Sequence, residues 1–299
     1  MARPKDATIR SEALLQALDR ALTSSDRRVL QLLVRHGNLP GTRPNHDLAA
    51  AFGDELAARG KVTDAFVREL CEVDEMRAQG NSGEAFLPLA GAHALASRIL
   101  AGYDPKGSWR ALAELAADTR KVVRDGVIAA LTRLAMATPG AADEIMRKLG
   151  EWTTGFLPAA VALEMLAQRD VLERLTDVDA LVARLEESTS LAEHASRAEE
   201  RTQGRRRLLE VLGDVLPKFG ARVPRVLAWL IERASLKQPE VRVAFEAALL
   251  GLTRAGIAHG DLDPLRRVLD DSAPPRRDPT TYVGTTRGRG RKAQRRSSR

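Results

Sequence analysis

Apolar residues recur at intervals of three and four along most of this 299-residue chain, which is the spacing of one face of an α-helix. The segment 240–254 shows the pattern best: Val241, Leu249 and Leu252 lie on one apolar stripe, whereas Arg242 is expected to face away from it. Nothing in the chain alternates with the period of two that half-buried strands require. The sequence therefore predicts an all-α fold.

Turn-forming Gly, Pro, Asn and Asp residues divide the chain into a series of short helices. The polar stretch 188–204 is expected to contain the least regular connection. The predicted helices are 11–22, 25–36, 46–58, 63–78, 84–100, 108–117, 119–136, 140–150, 156–168, 177–187, 191–201, 205–218, 223–235, 240–254 and 262–270.

Two of these helices share a sequence pattern. Residues 123–134 align with residues 241–252, and six of the twelve positions match, including a Val-Arg pair at the start and an Ala-Ala-Leu core. Asp118 lies in the turn before the first of these segments. In this pattern the chain resembles the HEAT-repeat proteins, whose second helix begins after an Asp-containing turn and then carries Val-Arg, small residues and Leu. The resemblance extends over roughly 84–255.

The resemblance implies a right-handed α-solenoid of HEAT-like helix pairs. A single helix pair is too narrow to bury its apolar stripe, so successive pairs stack on their neighbours in the chain. We expect a flexible N-terminus at 1–10, a HEAT-like helical-repeat domain at 11–271 and a tail at 272–299. An irregular helical bundle is the alternative that the same pattern permits.

The net charge of +7 is concentrated in the tail. Residues 272–299 contain nine basic side chains and one acidic side chain, which leaves 38 basic and 39 acidic residues in the rest of the chain. The tail is rich in Arg, Gly and Ser and has almost no apolar residues, so it cannot bury enough surface to offset its chain entropy. This composition predicts a disordered polycation that binds RNA or DNA without sequence preference; a tail that only keeps the chain in solution is the alternative.

Two groups of basic residues are candidates for binding a polyanion such as RNA or DNA. One group lies in the tail, and the other lies in the stretch 205–254, which has ten basic and five acidic residues. The candidates in the body are Arg205, Arg206, Arg207, Arg222, Arg225 and Arg242. The candidates in the tail are Arg287, Arg289, Arg291, Lys292, Arg295 and Arg296.

No residue pattern indicates catalysis, a cofactor or a metal. The single cysteine, Cys71, is predicted to be a small buried thiol, because no basic neighbour favours its thiolate. His93 is expected to be a partly buried, hydrogen-bonded imidazole, and His46 is expected to be exposed at a helix start. The cysteine content is typical of a cytoplasmic protein, and no apolar run reaches the length of a membrane span.

Two functions fit these observations. The first is a non-enzymatic scaffold whose solenoid surface binds a protein partner, with the basic tail adding nonspecific contact with polyanions. The second is a nucleic-acid-binding or DNA-repair solenoid. Some alkylpurine DNA glycosylases are HEAT-like solenoids that hold damaged DNA on a concave face with aromatic and acidic side chains. That alternative requires one or more of the tryptophans Trp109, Trp152 and Trp229 to lie on such a face.

Overall fold

The computed structural model describes residues 12–24, 26–236 and 238–273. This part of the chain is helical, with turns between the helices and no strand, so the all-α prediction is confirmed. The predicted N-terminal segment 1–10 and all but the first two residues of the predicted tail 272–299 lie outside the described residues. The helices are α1 (Glu12–Thr23), α2 (Arg28–His36), α3 (His46–Arg59), α4 (Asp64–Cys71), α5 (Phe86–Leu100), α6 (Pro105–Ala116), α7 (Lys121–Ala135), α8 (Ala141–Lys148), α9 (Phe156–Leu166), α10 (Arg169–Leu172), α11 (Val178–Glu193), α12 (Gln203–Gly220), α13 (Pro224–Arg233), α14 (Pro239–Arg254) and α15 (His259–Asp271).

One series of helices forms the centre of the molecule. Helices α3, α5, α7, α9, α12 and α14 pack side by side in that order. Helices α4, α6, α8, α11, α13 and α15 each contact one or more members of that series. Helix α5 is buried from Phe86 to Arg98, because its Ala-, Gly- and Leu-rich sequence is apolar on all faces. No described helix has both the length and the apolar character needed to cross a bilayer.

Two predicted helices differ from the structure. The segments 177–187 and 191–201 were expected to be separate helices, but α11 is continuous to Glu193 and turns follow it. Ser188 and Thr189 look like a break in the sequence, yet both side chains are buried inside α11. The Thr202 side chain then caps α12 by accepting a hydrogen bond from the Arg205 amide.

The predicted helix 63–78 is also shorter than expected, because α4 ends at Cys71. The guanidinium group of Arg120 donates hydrogen bonds to the carbonyl oxygens of Val73 (2.7 Å), Asp74 (3.1 Å) and Ala78 (3.0 Å). These bonds satisfy backbone acceptors that a longer helix would have used internally. A side chain from the residue just before α7 therefore stabilises the turn.

The matching segments at 123–134 and 241–252 form α7 and α14, as predicted. The expectation that Arg242 faces outward is wrong, since the residue is buried. Its Nε donates a hydrogen bond to Glu246 (2.7 Å), and its Nη1 donates one to the Ser272 hydroxyl (2.8 Å). The guanidinium group therefore keeps hydrogen-bond partners while the aliphatic part of the side chain is buried. Leu249 is only partly buried, whereas Leu252 is completely buried.

Candidate functional site

Five of the six body arginines proposed as polyanion contacts are engaged in ion pairs. Arg222 and Glu173 are 2.9 Å apart, and Arg242 and Glu246 are 2.7 Å apart. The other pairs are Arg205 with Glu240, Arg207 with Glu164, and Arg225 with Glu232. Of the six, Arg206 alone is exposed without an ion-pair partner among the described residues.

Burial removes two of the six from the candidate set. Arg205 is only 1% exposed, and its Nε donates to the Ala192 carbonyl at 2.9 Å. Arg242 is also buried. A phosphate cannot approach a guanidinium group that packing has enclosed, so neither residue fits a contact with a polyanion. The tail candidates lie outside the described residues.

A groove of about 810 Å³ crosses the central series of helices. It lies against the start of α3 and the faces of α7, α9 and α12, with the loop before α3 at one end. Its floor includes the apolar side chains of Ile128, Ala129 and Val215. The remaining lining residues are Thr42, Arg43, Pro44, Asn45, His46, Asp47, Asp125, Thr132, Glu164, Gln168, Asp214 and Lys218.

The groove has more carboxylates than cations. Four acidic residues line it, against Arg43 and Lys218. Two of the four are paired, Asp125 with Lys121 at 2.6 Å and Glu164 with Arg207. Burial raises the pKa of Glu164 above its ordinary value, and the Arg207 charge opposes that shift. The exposed carboxylates of Asp47 and Asp214 have no ion-pair or hydrogen-bond partner among the described residues. Since Arg43 and Lys218 offset these two charges, the groove has no excess of positive charge that would attract a nucleic acid.

A histidine pair connects the groove to the core. His46 lines the groove, and its Nδ1 is 3.2 Å from Nε2 of His93, which is 3% exposed. His46 is therefore half-buried, contrary to the expectation that it is exposed. Burial is the largest cause of the lowered pKa of both residues, and it brings the pKa of His93 to about 3. Within the described residues, no group of three or more His, Cys, Asp or Glu side chains is placed to hold a metal ion.

A smaller cavity of about 500 Å³ lies between α4 and α6, and Cys71 lines it. Burial raises the pKa of the Cys71 thiol to about 12, so the group is protonated at neutral pH and is a poor nucleophile. The prediction of an unreactive thiol is supported, although Cys71 is partly rather than fully buried. The expectation that it has no basic neighbour is wrong, because the charge of Arg98 acts to lower the pKa of the thiol and only partly offsets the effect of burial. The same cavity is lined by Arg98 and Arg120, both of which are buried and hydrogen-bonded to neighbouring residues.

None of the three tryptophans lines the groove. Trp229 is buried against Phe245, with ring centroids 5.9 Å apart, and its Nε1 donates to Glu186 at 3.0 Å. Trp109 and Trp152 contact each other elsewhere, with ring centroids 6.3 Å apart, and line a separate cavity. No sequence pattern indicated that contact, because the two residues are 43 positions apart in different elements.

Comparison with known proteins adds no further assignment. The chain matches no protein-family model, and no curated protein matches it. The groove and the Trp109–Trp152 cavity are therefore interpreted from their own chemistry.

Proposed function

We propose that this chain is a HEAT-like, right-handed α-solenoid that serves as a non-enzymatic scaffold and binds an extended segment of a protein partner in the groove. The observation that carries the proposal is the groove itself, which is lined by residues of α3, α7, α9 and α12. A continuous cleft across successive helices is the surface that helical-repeat proteins use to bind partners. The Val-Arg and Ala-Ala-Leu pattern shared by α7 and α14 also supports the repeat architecture.

The groove favours a basic segment as its occupant. Asp47 and Asp214 offer two unpaired carboxylates near opposite ends of the lining, and Ile128 and Ala129 lie between them on α7. Helix axes pack 8–10 Å apart, and α3 contacts α7 directly, so the three spacings between the lining helices α3, α7, α9 and α12 span roughly 24–30 Å. An extended peptide of about twelve residues is long enough to cover that distance.

The test is a selection from a library of peptides about twelve residues long, followed by affinity measurements on three forms of the full chain. The groove variant is Asp47→Lys/Asp214→Lys. The matched control is Asp270→Lys/Asp271→Lys, which makes the same change in charge at exposed positions at the end of α15. We expect the selected peptides to be rich in Lys and Arg and to bind the groove variant at least tenfold more weakly than the control. Peptides that bind the two variants equally, or a selection that yields none, would contradict the proposal.

The tail supplies the second part of the proposed function. Its Arg- and Gly-rich composition favours nonspecific contact with RNA or DNA by counterion release. The DNA-repair alternative receives less support, since carboxylates line the groove and no tryptophan does. On the basis of cysteine content alone, the proposal places the scaffold in the cytoplasm.

A further inference from the structure

The Trp109–Trp152 cavity lies outside the groove and plays no part in the scaffold proposal. It has a volume of about 740 Å³, which is within the range of small-molecule sites. Helix α6 forms one wall, and the end of α8 with the 3-10 helix Leu149–Thr154 that follows it forms the other. The lining residues are Pro105, Lys106, Trp109, Arg110, Ala113, Lys148, Glu151 and Trp152.

Two indole rings give the cavity an aromatic wall. They meet edge to face, with an interplanar angle of 72°, and Trp152 is only 5% exposed, so its ring is held in place by packing. Trp109 is partly exposed, and its buried Nε1 has no hydrogen-bond partner among the described residues. Indole N–H groups are usually paired when buried. The Trp109 ring is therefore positioned by ring contacts rather than by a hydrogen bond.

Three cations surround these rings. The Lys148 Nζ is 5.4 Å from the centroid of the Trp109 ring. Lys148 and Arg110 each have one partner on their own helix, at 3.3 Å and 3.9 Å respectively, and such exposed pairs hold a side chain only weakly. Lys106 is exposed and has no ion-pair partner among the described residues. All three side chains are thus free to turn toward an anion.

One carboxylate completes the lining. Glu151 is exposed and has no ion-pair partner among the described residues. A carboxylate accepts hydrogen bonds only, so it recognises an N–H donor on a ligand. The cavity therefore combines an aromatic wall, one hydrogen-bond acceptor and an excess of positive charge.

We propose that this cavity binds a nucleoside monophosphate unit. The base packs against the Trp109 indole, which the buried Trp152 ring holds in place, an amino group on the base donates to Glu151, and Lys106, Arg110 and Lys148 hold the phosphate. A neutral ring would leave the cations without a counter-charge, and a bare phosphate would leave the aromatic wall uncovered. Either a free nucleotide or the phosphorylated end of a single strand carries this unit.

The first experiment measures binding of adenosine monophosphate, adenosine and inorganic phosphate to the full chain by calorimetry. We expect adenosine monophosphate to bind at least tenfold more tightly than either of the other two. Lys106→Gln/Arg110→Gln should weaken that binding at least tenfold, because it removes the attraction for the phosphate at two exposed positions. The matched control is Arg206→Gln, an exposed arginine on α12 without an ion-pair partner among the described residues, and it should bind like the unaltered chain.

A second pair of variants tests the aromatic wall. Trp109→Leu should lose binding at least tenfold, whereas Trp109→Phe should retain most of it, and thermal melting checks that both variants fold. If Trp109→Leu does not fold, the Lys106→Gln/Arg110→Gln result decides the question. The proposal is overturned if adenosine or phosphate alone binds as tightly as adenosine monophosphate, or if the Lys106→Gln/Arg110→Gln variant binds unchanged.

A 5′-phosphorylated oligodeoxyadenylate distinguishes the two sources of the unit. The basic tail also attracts such a strand, so the comparison is between the full chain and its Lys106→Gln/Arg110→Gln variant. If the strand end is a ligand, its affinity falls about tenfold in the variant. An unchanged affinity for the strand, together with a loss of adenosine monophosphate binding, assigns the cavity to the free nucleotide. A negative result in either experiment leaves the scaffold proposal standing, because the groove shares no lining residue with this cavity.

Discussion

At the scale of single residues, the arginines depart most from the expectation that charged side chains lie on the surface. Arg98, Arg120, Arg124, Arg205 and Arg242 are all buried. Each donates hydrogen bonds to carboxylates, hydroxyls or backbone carbonyl oxygens, so none is left as a bare buried charge. In this protein, a cluster of arginines in the sequence does not by itself indicate a basic surface.

The adjacent residues Arg205 and Arg206 give the sharpest test at this scale. Arg205→Ala should lower the free energy of unfolding by about 2–5 kcal/mol, because it leaves a cavity and removes the hydrogen bond to the Ala192 carbonyl. Arg206→Ala removes an exposed side chain and should change stability by no more than about 0.5 kcal/mol. Urea unfolding measures the free energy of unfolding of both variants. Equal losses would show that the buried contacts of Arg205 do not stabilise the fold.

At the scale of elements, close approach between helices depends on small residues. A Cβ atom at Gly53 on α3 would lie 2.8 Å from the His93 carbonyl oxygen and 2.9 Å from the Ala94 amide nitrogen on α5. Both atoms belong to the backbone of a buried helix, so neither can move aside easily. The most extensive contact of α3 therefore requires glycine at this position.

Gly53→Ala should destabilise the fold by about 1–3 kcal/mol, because it pushes α3 away from α5. Gly260→Ala is the matched control, since nothing lies within 4 Å of a Cβ atom at that position in α15. The control should be neutral or stabilising by up to about 1 kcal/mol. Thermal unfolding measures both, and a neutral Gly53→Ala would mean that the two helices are farther apart than described.

The His46–His93 contact joins α3 to α5 and makes their packing sensitive to pH. The pKa of His93 falls from the ordinary 6.5 to about 3 in the folded chain, chiefly through burial. The nearby charges are those of His46 and Arg133, which also lower the pKa, and Asp54, which raises it. Below pH 6.5 the unfolded chain binds a proton that the folded chain does not bind. Stability is therefore lost as the pH falls from 6.5 toward 3.

We expect His93 to contribute up to about 1.4 kcal/mol of lost stability per pH unit below 6.5. The measurement is the urea midpoint at several pH values between 7 and 5, for the unaltered chain and for His93→Gln. The variant should show a shallower pH dependence, whatever its absolute stability. His259→Gln, at an exposed position at the start of α15, is the control and should keep the original slope. An identical slope in His93→Gln would show that His93 does not carry the effect.

At the scale of the whole molecule, the excess of positive charge and the groove belong to different parts of the chain. The basic excess lies at 272–299, whereas the groove is lined by four carboxylates and by two cationic side chains, those of Arg43 and Lys218. This separation predicts that polyanion binding and partner binding depend on different parts of the chain.

Truncation after Ala273 tests the separation. It removes the tail but keeps Ser272, whose hydroxyl accepts a hydrogen bond from Arg242. We expect the full chain to bind a single-stranded oligonucleotide with an affinity that falls about a thousandfold between 50 and 200 mM salt, and the truncated chain to lose that binding. Circular dichroism confirms that the truncated chain is folded. Retained binding with the same salt dependence would place the polyanion contact on the helical body.

The sequence predicted helices best where the apolar stripe was uninterrupted. Segments 119–136 and 240–254 agree with α7 and α14 to within two residues at each end. The prediction of a separate helix at 191–201 was wrong, because the end of α11 depends on the burial of Ser188 and Thr189. The prediction of helix 63–78 was also wrong after Cys71, where hydrogen bonds from Arg120 stabilise the turn. In both places a tertiary contact overrode the local pattern.

The amino-acid sequence by itself determined the helical class and the concentration of positive charge in the tail, because apolar spacing and composition are local properties. The tertiary structure alone decided which arginines are buried and which side chains form the groove. It also decided that Trp109 and Trp152 meet in one cavity. These outcomes depend on contacts between residues that lie far apart in the chain, such as Arg205 with Glu240 and His46 with His93. Such contacts exist only once the helices have packed, and no local pattern encodes them.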